Sequence, residues 1–278
     1  MDVQATLDVL VADAERGDMV FPTHVDLALR VQRALDDPDC SIEQLAKLIS
    51  ADPMLSVRVV GVANSVSYNP SGRPIGDVRN AVSRLGFKTL RTLVTALVVR
   101  QMQEMSSSPE HRALAARLWE HTAHVAALAR VIARRVTKQD PEAAFFAGIV
   151  HEVGAFYLIA RANQYPGLLE SNLENWYERG EALMGRAVSK ALGVPDHLGA
   201  ALEILWSGYL AMPPESLGDT LLLADQLSPV ESPLAELTGM SHNGVAVDID
   251  LLIDDETLSS ILADSAEEVA SLTAALQA

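Results

Sequence analysis

AAFFAGIVHEVGAFYLIA, residues 143–160, is apolar or glycine at every position except the His151-Glu152 doublet near its middle. At about 1.5 Å per residue its length approaches a bilayer span. The central carboxylate and the lack of a second comparable segment argue against a membrane helix. A helix that is apolar all round is one surrounded by other helices, so this stretch reads as the central core helix of an α-protein. An ionisable pair buried there is costly unless hydrogen-bond partners or a metal ion compensate it.

The neighbours of this stretch support the same reading. Asp140-Pro141 supplies an N-cap and a first-turn proline, and the helix they open should run to about Asn163. Upstream, Glu110 to Thr137 is a long helix that starts after the break Ser106-Ser107-Ser108-Pro109. The connection around Thr137–Asp140 is short, so these two helices should pack antiparallel. His121 and His124 lie three apart on one face of the first of them. Imidazoles and carboxylates aimed inward from facing helices are a known way to build a metal site, although a core histidine can equally be hydrogen-bonded structure.

Further out, the chain stays helical. Ser41-Ile42-Glu43-Gln44 has capping-box form. Asp52-Pro53 opens a helix that ends in the loop Asn64–Gly76, with Pro70, Gly72 and Pro74. Asp77 caps a short helix stopping at Gly86, and Phe87 to Met105 resumes it. Helices near 167–178, 181–192, 195–207, 217–227 and 257–276 follow, and only Val245–Ile253 alternates enough to suggest a short strand. The fold class is all-α, a multi-helix bundle in two packed lobes. Residues 1–105 form the N-terminal lobe, 106–228 the second lobe, and 229–278 an acidic helical segment.

Composition bounds the function. With 278 residues and 49% apolar content, a core is easily built. One cysteine, Cys40, excludes an internal disulfide and any Cys-rich metal site. The acidic N-terminus has its apolar residues interrupted too often for a signal peptide, which points to the cytoplasm. The net charge is −16, and no Lys or Arg follows Lys190. DNA is therefore a poor partner for the chain as a whole. The acidic C-terminal part is either a solvated face or a surface for a basic partner.

The sequence resembles the HDOD family of bacterial regulatory domains, a divergent branch of the HD phosphohydrolase superfamily. The stretches that carry the resemblance run in order from Asp37-Pro38-Asp39, Ser41–Ala46, Ile49–Pro53 and Val62–Ser65 through Arg73-Pro74-Ile75 and Ala81–Gly86. They continue with Trp119–Thr122, Ala147–Gly154 and Leu192–Pro195, and the likeness covers roughly residues 15 to 228. It implies an HD-like second lobe. In active HD phosphohydrolases a first His, a His-Asp doublet and a later Asp hold a metal, and these positions fall on His121, His151, Glu152 and Asp225. A divalent ion on such ligands lowers the pKa of bound water for attack on phosphorus.

Departures from that pattern bear on activity. The doublet's Asp is Glu152, one methylene longer, and the lysine that often follows the doublet's glycine is Ala155. Further histidines of relatives fall on Glu181 and Leu205-Trp206. The resemblance thus implies a domain that has kept the fold and lost the hydrolytic centre, its site degenerate, which fits a signalling role rather than turnover. No cofactor is expected, and a divalent metal at the degenerate site His121, His151, Glu152 and Asp225 stays open.

Other features are open to two readings. Arg84, Lys88 and Arg91 form a basic face that could bind a nucleotide-like messenger or an acidic partner segment, or could be solvated or pair with the chain's own acidic end. Asn64-Ser65 and Tyr68 could line an interdomain groove, with Asn64 equally a C-cap. Met102 and Met105 fit core packing, and His197 an exposed helix start. The expectation is a non-catalytic HDOD-type regulatory or signal-transduction module that meets a protein partner of its pathway in trans, without a membrane. The alternative is a divergent metal-dependent phosphohydrolase acting on a nucleotide or phosphoester, with His124 supporting the ligands.

Overall fold

The computed structural model describes residues 3–16, 18–19, 25–165, 168–169, 180–211, 213–234 and 255–277. The expected helix near 167–178 falls largely, and the expected strand at Val245–Ile253 wholly, outside these residues. Among the described residues there are helices and turns and no strand.

The N-terminal part contains α1 (Val3–Glu15), α2 (Val25–Asp36), α3 (Ile42–Ile49), α4 (Pro53–Asn64) and α5 (Val78–Met102). Their starts are written locally. Ser41 accepts the Gln44 N–H while the Gln44 side chain takes the Ser41 N–H, the expected capping box. Asp52 caps α4 ahead of Pro53, and Asp77 caps α5. Gly86 has φ 74° and ψ 171°, so α5 is interrupted where the short helix was expected to stop. Asn64 is more than a cap. Its amide donates to the Ile75 carbonyl at 2.8 Å while its oxygen accepts the Ile75 N–H at 2.8 Å, pinning both ends of the loop together.

The second part contains α6 (Pro109–Ile132), α7 (Pro141–Val150), α8 (Val153–Arg161), α9 (Glu181–Ala191), α10 (Asp196–Ser207) and α11 (Leu217–Gln226), and α12 (Asp255–Gln277) closes the fold. After α6 the chain makes a π-turn, Ala133–Thr137, ended by Lys138 at φ 56°. The expected antiparallel pairing of α6 with the doublet helix is present. Arg130 meets Glu142, Ala126 faces Gly148 and His121 meets His151, so one index rises as the other falls.

The expected single helix to Asn163 is two. It breaks at His151-Glu152, where Glu152 has φ −108° and ψ 22°. Neither Pro nor Gly lies at the break. Both doublet side chains are engaged from elsewhere in the chain, His151 by His121 of α6 and Glu152 by Ser232. Stretch 141–164 is the one segment among the described residues long and apolar enough to cross a membrane, and 94% of its apolar window is buried inside the protein. It is the middle of a core to which helices from both halves contribute.

Candidate metal centre

Close backbone approaches set the frame. A Cβ on Gly148 would lie 2.9 Å from the Ala126 nitrogen and 3.0 Å from its Cβ, so α7 sits directly on α6. Gly154 faces the backbone of Gly185 in the same manner and brings α9 against α8. On α11, the Ser216–Asp219 capping box fixes the first turn, with Asp219 also accepting the Ala211 N–H at 3.0 Å. The buried hydroxyls of Thr137 and Thr220 join at 2.6 Å and tie α11 to the end of α6.

This frame brings His121, His151, Glu152 and Asp225 together, although they come from α6, the α7–α8 break and α11. The first three are each 2% exposed, and one ligand atom from each lies within 4.8 Å of the others. Asp225 joins through Oδ1, 3.2 Å from Nε2 of His121 and 3.9 Å from Nε2 of His151.

The hydrogen bonds orient the rings. Nδ1–H of His121 donates to the Val230 carbonyl at 2.6 Å, and Nδ1–H of His151 donates to the Gly148 carbonyl at 2.7 Å. Both Nε2 atoms therefore point inward, 3.3 Å apart. Oε2 of Glu152 lies 3.8 Å from each of them and is buried without a hydrogen-bond partner.

Electrostatics follow from this packing. Burial opposes a charged His121, but the carboxylates of Glu152 and Asp225 outweigh it and hold its pKa at about 9. His151 is pushed the other way, by burial and by the positive charge of His121. His121 is thus the ring on which this packing favours the proton, its Nε2 lying 3.2 Å from Asp225 Oδ1 and 3.3 Å from His151 Nε2.

Two imidazole nitrogens and two carboxylates, one of them presenting an orphaned oxygen, fit a divalent cation, which would displace the proton on His121. The His/Glu group could therefore hold a metal. Glu181, where relatives carry a histidine, is also buried. Burial, and then the charges of Glu152 and Asp225, drive its carboxyl pKa well above the usual carboxylate range.

Not every expected participant arrives. His124 is half-buried and turns its Nδ1–H onto the Glu120 carbonyl of its own helix at 2.9 Å, away from the cluster. Leu205 is core, and the Trp206 ring covers Gly185. Ala155 is fully buried. Arg84, Lys88 and Arg91 all hold partners: Arg84 donates to the Tyr68 carbonyl at 3.0 Å, Lys88 pairs with Asp140 at 2.8 Å, and Arg91 pairs with Asp36 at 2.5 Å. These partners are not in the acidic C-terminal part.

Two elements were missed by sequence reasoning. Residues 228–234, Ser-Pro-Val-Glu-Ser-Pro-Leu, lie across the centre: Val230 accepts from His121, and the Ser232 hydroxyl donates to Oε1 of Glu152 at 2.5 Å. The doubled Ser-Pro was the available signal. The other is a polar junction around Arg130, whose guanidinium lies 4.5 Å over the Tyr68 ring. It pairs with Glu142 at 3.1 Å and with Glu268 of α12 at 2.9 Å. Tyr68 and Thr89 both donate to Glu142 at 2.7 Å, and Ser67 donates to Glu268 at 3.0 Å. Tyr68 does lie between the two parts, as expected of a groove residue. The groove is occupied by the chain's own acidic helix, which also pairs with Arg134.

Fold and site together define an all-helical domain with a buried His/His/carboxylate centre. The HDOD domain family profile matches residues 21–207, and the chain belongs to that family. Among solved structures it is similar to a candidate metal-dependent phosphohydrolase from Shewanella amazonensis SB2B, with 22% identity, 99% of each chain covered and a TM-score of 0.70. It is also similar to an HDOD domain protein of unknown function from Geobacter sulfurreducens, with 24% identity, 99% of this chain and 98% of that one covered, and a TM-score of 0.59. An uncharacterized protein of Treponema pallidum (strain Nichols) is 24% identical over 212 residues, 70% of this chain but 39% of that protein's length.

Proposed function

We propose that this protein is a non-catalytic, cytoplasmic HDOD regulatory module that works by binding a signalling protein or a small ligand, and that its HD-type centre is a buried metal-holding core. The observation that carries this is enclosure. His121, His151 and Glu152 are each 2% exposed, fully buried Ala155 stands where a phosphate-pairing lysine often follows, and Val230 and Ser232 lie over the ligands. A phosphoester needs room at the ion and a cation for its own oxygens, and among the described residues the enclosed His121, His151 and Glu152 offer little of the first and Ala155 none of the second.

A divalent ion held by His121, His151, Glu152 and Asp225 would be able to polarise a bound oxygen. The protein's own residues orient the imidazoles through Val230 and Gly148 and keep bulk water from the centre. Binding of a partner in trans is assigned to the exposed edge bearing Arg84 and Lys88, with Arg91 beside them; a nucleotide-like ligand is the small-molecule form of the same proposal.

The alternative, a divergent phosphohydrolase, is favoured by one feature, the complete set of four donors, among them the orphaned Oε2 of Glu152. The two readings part in a single experiment on the full chain: metal content by plasma mass spectrometry and hydrolysis of a chromogenic phosphodiester, each with His151→Ala beside it. The expected result is metal that is lost in His151→Ala and no hydrolysis above that variant. Metal-dependent turnover abolished by His151→Ala would replace the regulatory reading with the enzymatic one. Partner or messenger binding should fail when Arg84, Lys88 and Arg91 are reversed to Glu, and its survival would remove that edge from the proposal.

A further inference from the structure

Residues 228–234 lie beyond the family match, yet they supply two contacts inside the centre. Each Ser in this segment precedes a Pro, which biases both residues 228 and 232 toward extended backbone and fixes the next φ. Ser228 donates to the Val230 carbonyl at 2.9 Å and accepts the Val230 N–H at 3.3 Å, so the turn is closed on itself. Glu231 faces solvent while Ser232, Pro233 and Leu234 are buried. A strap of this kind presents its 232 hydroxyl in one position rather than a range.

What that hydroxyl does is specific. Glu152 is one methylene longer than the family's aspartate, with one more torsion to fix. Ser232 donates to Oε1, which leaves Oε2 facing Nε2 of both histidines at 3.8 Å. Oε2 has no other buried partner. A ligating carboxylate whose second oxygen is hydrogen-bonded is held in its binding orientation before the ion arrives.

We infer that Ser232 is a positioning residue of the metal centre, holding Glu152 by Oε1 so that Oε2 is the ligand, and that it compensates for glutamate in the aspartate position. This rests on the metal-holding reading above.

The test is titration of the metal-free full chain with cobalt(II) alone, followed by d–d absorption and by competition with a chromophoric chelator. Wild type and Ser232→Thr should bind about one equivalent with similar spectra. Ser232→Ala should bind about 10–100-fold more weakly with an altered spectrum. Ser232→Val, which has the shape of Thr without the hydroxyl, should behave like Ser232→Ala, and thermal unfolding of each metal-free variant reports whether it folds. Unchanged affinity and spectrum in Ser232→Ala, or equal losses in the Thr and Val variants, would overturn the inference. A wild type that binds no cobalt removes the metal-holding reading and this inference together, and the wild-type trace alone distinguishes that case.

Discussion

Replacing Gly148 by alanine should injure the fold and the centre through one contact. The new methyl would sit 2.9 Å from the Ala126 nitrogen and closer still to its Cα, in the middle of α6. Carbon atoms need about 3.5 Å or more, so α7 must move away by about 1 Å. The obstacle is helix backbone, which cannot swing aside as a side chain does. Overpacking of this kind costs about 3 kcal/mol, and alanine's better helix propensity returns about 1, for a net loss of about 2 kcal/mol. In a chain of this size that is a fall in Tm of about 4–8 °C.

The same movement separates His151 from His121, whose Nε2 atoms are 3.3 Å apart, so cobalt(II) affinity should fall with stability. Gly61→Ala is the internal control. Gly61 also lies within a helix, but nothing stands within 4 Å of its new Cβ, and it should gain about 0.5–1 kcal/mol. Urea and thermal unfolding of both variants, with cobalt titration of Gly148→Ala, decide the matter. A Gly148→Ala protein as stable as wild type would show that the α6–α7 contact yields easily. One that is destabilised but binds cobalt normally would show that the contact does not position the histidines.

Two other perturbations follow from the contacts around α12 and α7. Burial works against ionised Glu268, but hydrogen bonding and charge from Arg134, with Ser67 and Arg130, lower its pKa below the ordinary value of 4.5. The stability it contributes is therefore fully present above that value and lost as pH falls through the depressed folded pKa. Glu268→Gln should cost about 1–2 kcal/mol at pH 7, discounted for partial exposure, and the difference from wild type should close in acid unfolding series as pH falls below the ordinary 4.5 through the depressed folded pKa. Asp140 caps α7 through the N–H groups of Glu142 and Ala143 and holds Lys88. Asp140→Ala should cost about 1–2 kcal/mol in urea unfolding, whereas Lys88→Ala, which loses only an exposed pair, should cost under about 1.

How far the fold could be read depended on how local its causes are. Ser41–Gln44, Asp52-Pro53, Asp77 and Gly86 act within three or four residues, and each does in the structure what its spacing implies. The break at His151-Glu152 could not be read in the same way, because the apolar pattern runs through it unbroken. It is imposed by His121 and Ser232, which are 30 and 80 residues away from their partners. The four metal donors were named through likeness to a family, since spacing alone does not distinguish a ligand from a core histidine. His124 illustrates the difference, for a step of three residues falls about 60° short of a full turn and leaves it bonded to its own backbone. The pairing of the basic face was hidden for a related reason: Asp140 and Asp36, which meet Lys88 and Arg91, lie more than 50 positions away.

The two elements that sequence missed have a common origin. Apolar periodicity finds helices that bury a greasy face, and neither the Ser-Pro strap nor the Glu268 contact works by that means. Both belong to the part of the chain after residue 207, beyond the family match, and each reaches inward to complete polar groups that the family domain alone would leave short. Without Ser232, both oxygens of Glu152 are buried carboxylate without a neutral donor. Without Glu268, Arg130 keeps only Glu142 and the Tyr68 ring while remaining 8% exposed. A buried charge stripped of one partner is destabilising well beyond the value of the bond removed. The acidic C-terminal part is thus more than a solvated face: Glu268 is the anion that closes the junction around Arg130, and the strap at its start closes the centre.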